Sequence, residues 1–161
     1  MNWREAYFAQ AWSDFQVFQQ LNVGRHPLCH KLHYLQMATE KLAKGFLCDP
    51  KSPPPKKSHF EFVRFLKVSK GRPDLRSKLG YERNYRAYAS YVDSLLPLAE
   101  KIEDLAPVGS DFRKVNPEYP WIDDRGGVRC PALYDFAEFG ITELAKIQPL
   151  ISSLFRVIGF H

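Results

Sequence analysis

The sequence predicts an all-α fold: an antiparallel helical bundle of about five helices, with a long Pro/Gly-rich loop before the last one. Three observations point there. Apolar residues recur every three or four positions through most of the chain, the spacing that aligns them along one helical face. Clusters of proline and glycine punctuate those stretches. No run of alternating apolar and polar residues marks a set of strands. At 161 residues the chain fits one domain. We take 1–161 as that domain, with the bundle in 1–105, the loop in 106–131 and the C-terminal helix in 132–161.

The first helix is expected from Trp3 to Leu21, with Phe8, Ala11, Trp12, Phe15 and Phe18 on its inner face. Asn2 and Glu5 stand at the spacing of a capping box, in which each side chain satisfies a free backbone donor of the other residue. Asn22, Val23 and Gly24 end the helix. A second helix opens near Pro27, whose missing N–H costs nothing at a first helical position, and carries Leu28, Leu32, Leu35, Leu42 and Phe46 inward. Helix cannot continue through Asp49, Pro50 and the Pro53–Pro54–Pro55 run, because proline lacks the donor and its ring clashes with the preceding turn.

Ser58 and Glu61 repeat the capping-box spacing, with Phe60, Val63 and Leu66 behind, which predicts a short third helix ending at Gly71, Arg72 and Pro73. A fourth stretch runs through Tyr81, Tyr85, Tyr88, Val92 and Leu95 to about Leu105, with a kink expected at Pro97. Residues 106–131 hold Pro107, Gly109, Pro117, Pro120, Gly126, Gly127 and Pro131, which is loop chemistry. The last helix is expected from about Pro131, presenting Phe136, Phe139, Leu144, Ile147, Ile151, Phe155 and Ile158, and weakened by Gly140 and Pro149.

Charge is concentrated in one segment. Residues 51–86 carry 11 Lys or Arg against only Glu61, Asp74 and Glu82, while 87–161 carry 7 against 11 acidic residues. Cys29, Cys48 and Cys130 have no close paired spacing, which predicts three reduced thiols and neither a disulfide framework nor a zinc ribbon. No apolar run reaches the roughly 18 residues of a membrane span, and the first residues lack a signal-peptide pattern. A soluble, cytoplasmic protein without membrane contact is the expectation.

The second helix reads His33-Tyr34-Leu35-Gln36-Met37-Ala38-Thr39-Glu40-Lys41-Leu42-Ala43-Lys44. This resembles the Gln, Glu-Lys, Lys helix of the HEPN superfamily, with Ala11, Ser13 and Asp14 on the helix before it and Ser58-His59 opening the helix after it. The similarity covers about residues 5–105. It implies a helical bundle, association with RNA or nucleotides and a homodimer. In some members it implies a metal-independent ribonuclease of toxin–antitoxin or defence type, or a nucleotidyltransferase-type protein partner. Catalytic members pair an arginine with a histidine lying four to six intervening residues downstream. Here Arg83-Asn84 opens like that motif, but the three allowed histidine positions hold Tyr88, Ala89 and Ser90. Arg83, Asn84 and Tyr88 are therefore the candidate catalytic residues of a diverged site, although a tyrosine with an ordinary pKa near 10 is a poor base at neutral pH. Arg25 with His30 and Arg156 with His161 match the spacing literally but fall elsewhere than the family places it.

Lys67, Lys70, Arg72, Arg76, Lys78 and Arg86 are the candidate nucleic-acid-binding residues, since clustered cations neutralise phosphates and release counterions. Tyr81, Tyr85 and Tyr88 can either stack on unpaired bases or form the buried stripe of their helix. His26, His30 and His33 share one helical side, as a metal site would need, but no carboxylate stands at the next turn. No metal and no cofactor is expected. Asn116-Pro117-Glu118-Tyr119-Pro120-Trp121 reads either as a docking loop or as a wrap in which Tyr119 and Trp121 cap the bundle. A conjecture sets the acids that follow against the basic segment of a second protomer. Two functions result: a HEPN-like protein binding RNA or a nucleotide, or a non-catalytic protein-interaction module.

Overall fold

The computed structural model describes residues 1–49, 51, 60–107 and 112–161. Pro50, Pro53–Pro55, Ser58, His59 and Gly109, which figure in the sequence reading, lie outside that set. The fold is an all-α bundle, and the described residues contain six α-helices: α1 Trp3–Val23, α2 Leu28–Leu47, α3 Glu61–Ser69, α4 Pro73–Lys78, α5 Tyr85–Asp104 and α6 Ile141–Val157. The sole strand pairing among them is a two-residue antiparallel pair, β1 Trp121–Ile122 with β2 Val128–Arg129. Among the described residues no helix is long and apolar enough to cross a membrane.

The capping box at Asn2 forms as expected, with Asn2 Oδ1 accepting from the Glu5 N–H at 3.0 Å and the Glu5 carboxylate accepting from the Asn2 N–H at 2.9 Å. α1 and α2 make an antiparallel hairpin whose helices approach closely at Gly45. A Cβ there would lie 2.4 Å from the Phe8 ring. Phe8 meets Phe46 edge-on at 5.0 Å, and Phe46 stacks on Phe65 of α3 at 4.6 Å. On the other side of the hairpin, Phe155 of α6 lies 5.1 Å from both Trp12 and Phe15. One continuous core of buried Phe, Leu, Ile and Val side chains results, and burial of that kind is worth about 1.5–3 kcal/mol per large side chain.

The polar residues of the second helix face inward too. Lys41 donates to Asp14 across the hairpin at 2.6 Å, Gln10 donates to the same carboxylate at 3.1 Å, and Gln36 donates to Glu40 at 2.9 Å, with Lys44 also on Glu40. Asp14 and Gln36 are buried. Lys41 thus ties α2 to α1, while Gln36 and Lys44 hold Glu40 along α2.

Three elements differ from the expectation. First, Pro73 starts a helix of its own instead of only ending one. Its fixed φ suits a first turn, and Leu75 anchors the six-residue α4 in the core.

Second, α3 begins at Glu61 with Phe60 in the cap position, and Phe60 supplies no side-chain bond. The missing acceptor comes from a distant helix: Glu103 of α5 accepts from the Val63 N–H at 2.9 Å.

Third, α6 begins at Ile141, ten residues after Pro131. Pro131–Leu133 and Ala137–Phe139 are short 3₁₀ turns, and between them Phe136 takes a left-handed backbone (φ 32°) that no α-helix continues through. Its ring is buried against Trp121 and Tyr134, so packing holds a conformation that local preference disfavours. Meanwhile α5 runs unbroken through Pro97 and α6 through Pro149.

The long loop is anchored in its middle. Asn116 is buried and its Oδ1 accepts from the Glu118 and Tyr119 N–H groups, while Trp121 is buried with an edge-on Tyr134 at 4.9 Å. Trp121 therefore caps the bundle as one reading expected, whereas Tyr119 stays exposed. Asp123 is engaged within its own hairpin. It accepts from the Gly127 and Arg125 N–H groups and from Arg129 inside the hairpin, where Gly126 supplies the left-handed turn residue (φ 79°).

Candidate functional site

The three candidate catalytic residues do not converge. Arg83 is exposed in the turn before α5. Asn84 is the N-cap of that helix, its Oδ1 accepting from the Ala87 N–H at 3.0 Å. Tyr88 is 1% exposed and donates to Ser69 Oγ at 2.9 Å, and burial pushes its hydroxyl above the ordinary tyrosine range. A phenol so placed touches no solvent and is a worse base than a free one. Its spacing reflects the buried stripe of α5.

The basic residues separate into two groups. Lys67 lines a groove between α3 and α5 with Glu100 and Asp104, and Lys70 donates to Asp93 at 2.7 Å, so both face acidic side chains of α5. The others gather around α4. Arg76 lies over the Tyr85 ring, 5.5 Å from its centroid, with its Nε–H buried and unpartnered. Arg83 and Arg86 are exposed and stand close to Tyr85 in the sequence, and Lys78 is exposed at the end of α4. Of the three tyrosines considered for base stacking, Tyr81 packs its ring between Tyr88 at 5.4 Å and Tyr91 at 6.2 Å, which leaves neither Tyr81 nor Tyr88 a free face of the kind a base needs. Tyr85 alone of the three is exposed, at 52%.

On its other side α4 borders a cleft of about 160 Å³. Arg72 and Lys78 of the α4 region and Arg4 of α1 surround it, with Asp74 as the one acid in its lining, over a floor that includes Phe8, Phe46 and Leu75. Arg72 grips Asp74 with two donors, at 2.8 and 3.4 Å, and this holds the Asp74 carboxyl below the usual range. Arg4 donates from one terminal nitrogen to the Cys48 carbonyl at 3.0 Å, and its Nε–H is buried with no acceptor. A wider cavity of about 570 Å³ continues past Lys78 and Val157 to Ser153 and Arg156 of α6.

Sequence reasoning missed Arg4, because the fold brings the start of α1 beside the end of α2 and α4, which are distant from it in the sequence. The sole local sign is the i, i+4 spacing of Arg4 and Phe8, which aims a cation and an aromatic ring at one place.

Among the described residues no three His, Cys, Asp or Glu side chains group as a metal ion would require. His33 instead faces Glu118 of the long loop at 3.8 Å and packs edge-on against Tyr34. The thiols of Cys29, Cys48 and Cys130 are free, and burial pushes that of Cys29 up. Arg25 and His30 are exposed at the α1–α2 turn, and Arg156 donates to Ser153 Oγ with His161 exposed beyond the helix. Compared with known protein families, with curated proteins and with solved structures, the chain matches none.

Proposed function

We propose that this protein binds single-stranded RNA through the corner formed by α4 and the start of α5, as a homodimer of HEPN-like character. The observation that carries the reading is the Arg76 guanidinium over the exposed ring of Tyr85, with the exposed Arg83 and Arg86 close to Tyr85 in the sequence. Cations that neutralise phosphates beside an aromatic face that stacks on bases are what a sequence-tolerant single-strand binder uses. Arg76 over one face of Tyr85 also orients the ring for a base on its remaining exposed surface. The resemblance of the second helix to HEPN domains supports the class of ligand and the dimer. Catalysis is not part of the proposal, since Tyr88 is buried and Asn84 is engaged as a cap.

A second reading, a protein-docking module for a nucleotidyltransferase-type partner, draws on the groove between α3 and α5. Phe60 and Val68 are exposed there among Arg64, Lys67, Glu100 and Asp104, the mixture of apolar centre and charged rim that protein interfaces show.

Titrating a mixed-sequence RNA against wild-type and Arg83→Ala protein, while following both retention and integrity of the RNA, separates these readings. Binding of intact RNA, weakened by the substitution, supports the proposal. Cleavage lost in the variant makes the protein a diverged ribonuclease. Absence of binding at low salt sinks the RNA reading and leaves the docking module.

A further inference from the structure

The cleft between α1 and α4 carries more positive charge than its own residues balance. Among the described residues of its lining, Arg4, Arg72 and Lys78 face one carboxylate, Asp74, which leaves two positive charges uncompensated. Both Asp74 oxygens accept from Arg72, and the Arg4 side chain donates to the Cys48 carbonyl, not to Asp74. Arg4 makes no ion pair among the described residues, and its Nε–H is buried without an acceptor. Folding away a guanidinium donor in this state is unfavourable unless an anion completes it.

We propose that this cleft binds a terminal phosphate monoester, with Arg4 and Lys78 as its principal contacts and Arg72 as a third cation at the rim. The ligand is either the phosphorylated end of an RNA chain or a free mononucleotide. The first source rests on the RNA reading above; the second does not.

Charge, size and surroundings select this ligand. A monoester carries about −1.5 to −2 at neutral pH, which balances the two free cationic charges, whereas an internal diester carries only one. Planar guanidinium groups bind such oxygens with paired, directional donors. A cavity of about 160 Å³ has room for several water-sized groups, enough for a phosphate but too small for a phosphate with its base. The remainder of a nucleotide has space in the adjoining cavity of about 570 Å³, reached past Lys78, where Arg156 stands ready for a further phosphate. Phe8, Phe46 and Leu75 close the floor against water, and lower local polarity strengthens each charge-assisted bond.

The test compares three labelled RNA oligomers of one sequence, with a 5′-phosphate, with a 3′-phosphate and with hydroxyls at both ends, by fluorescence anisotropy. Adenosine 5′-monophosphate alone is titrated calorimetrically in parallel. Wild-type protein is expected to prefer a phosphorylated end by about tenfold or more, the scale of a charge-assisted contact. Arg4→Gln and Lys78→Gln are each expected to reduce that preference to under about twofold on the same scale. Lys78 is exposed, so its variant tests the cleft even if Arg4→Gln fails to fold. Preference without nucleotide binding identifies the chain end as the ligand. Nucleotide binding without any RNA binding upholds the cleft and overturns the RNA reading. Equal binding of all three oligomers together with no nucleotide binding overturns the cleft proposal and leaves the RNA reading standing.

Discussion

The Arg76 guanidinium lies over the Tyr85 ring at 5.5 Å while about half of that residue remains open to solvent. An aromatic side chain at the first turn of a helix, held by a cation and close in the sequence to Arg83 and Arg86, is an arrangement that packing alone does not require. Tyr85→Ala is therefore expected to weaken binding of single-stranded RNA by about 1–3 kcal/mol, the loss of one stacked base, with little change in melting temperature. Unaltered affinity would remove stacking from the account.

Tyr88 gives the opposite expectation. Its hydroxyl serves Ser69 inside the core, and Ser69 Oγ also donates to the Leu66 carbonyl at 2.7 Å. Tyr88→Phe should cost about 1 kcal/mol of stability, the net value of one hydrogen bond, and leave RNA affinity and any RNA cleavage unaltered. Loss of cleavage in a variant that remains folded would restore Tyr88 to a catalytic role.

Glu103 sets a pH dependence. Burial holds its carboxyl above the ordinary range, against the downward pull of the Val63 and Phe62 N–H groups, and the nearby charges of Glu61 and Asp104 add to the rise. The folded chain thus keeps this proton to higher pH than the unfolded chain does. The contribution of Glu103 to stability is full below the ordinary carboxylate pKa and declines as pH rises through the raised folded value. Glu103→Gln keeps an acceptor toward Val63 and cannot ionise, so it should equal or exceed wild-type stability at neutral pH, with the difference vanishing near about pH 4. Glu103→Leu leaves the Val63 donor unpaired and should cost about 1–3 kcal/mol. Denaturant titrations at several pH values check both; a neutral-pH loss in Glu103→Gln as large as in Glu103→Leu would contradict this assignment.

Asp14 and Lys41 bind α1 to α2 from largely buried positions. Asp14→Ala strands the lysine and is expected to cost about 3–5 kcal/mol, whereas the double change Asp14→Leu with Lys41→Met should cost much less, since it removes both charges together. Urea unfolding of the three proteins measures the difference. Equal losses in the single and double variants would mean that packing, not the unpaired charge, sets the cost.

The helices were legible in the sequence wherever a local signal existed. Asn2 with Glu5 marks the start of α1, and the Leu28, Leu32, Leu35, Leu42 stripe marks α2, because caps and periodic apolar faces are properties of neighbouring residues. The errors fall where distant residues decide. Glu103 caps α3 from forty residues downstream, and Trp121 and Tyr134 hold Phe136 in a turn where helical spacing predicted a helix. At the candidate site, the concentration of cations in residues 51–86 was visible, but the separation of Lys67 and Lys70 from the α4 cations was not. Their acidic neighbours lie on another helix. Tyrosine spacing of four and three residues also fits a buried stripe and a stacking platform equally well. Only the fold shows that Tyr81 and Tyr88 turn inward and Tyr85 outward.

The salt dependence of RNA binding tests the central claim most directly. If Arg76, Arg83 and Arg86 contact phosphates, the logarithm of the association constant should fall against the logarithm of salt concentration with a slope of about −2, at about −0.7 per contact for a single strand. Arg83→Ala with Arg86→Ala should flatten that slope by about 1.4 on the same basis. A slope near zero, or one that the double variant leaves unchanged, would contradict RNA binding at the α4–α5 corner.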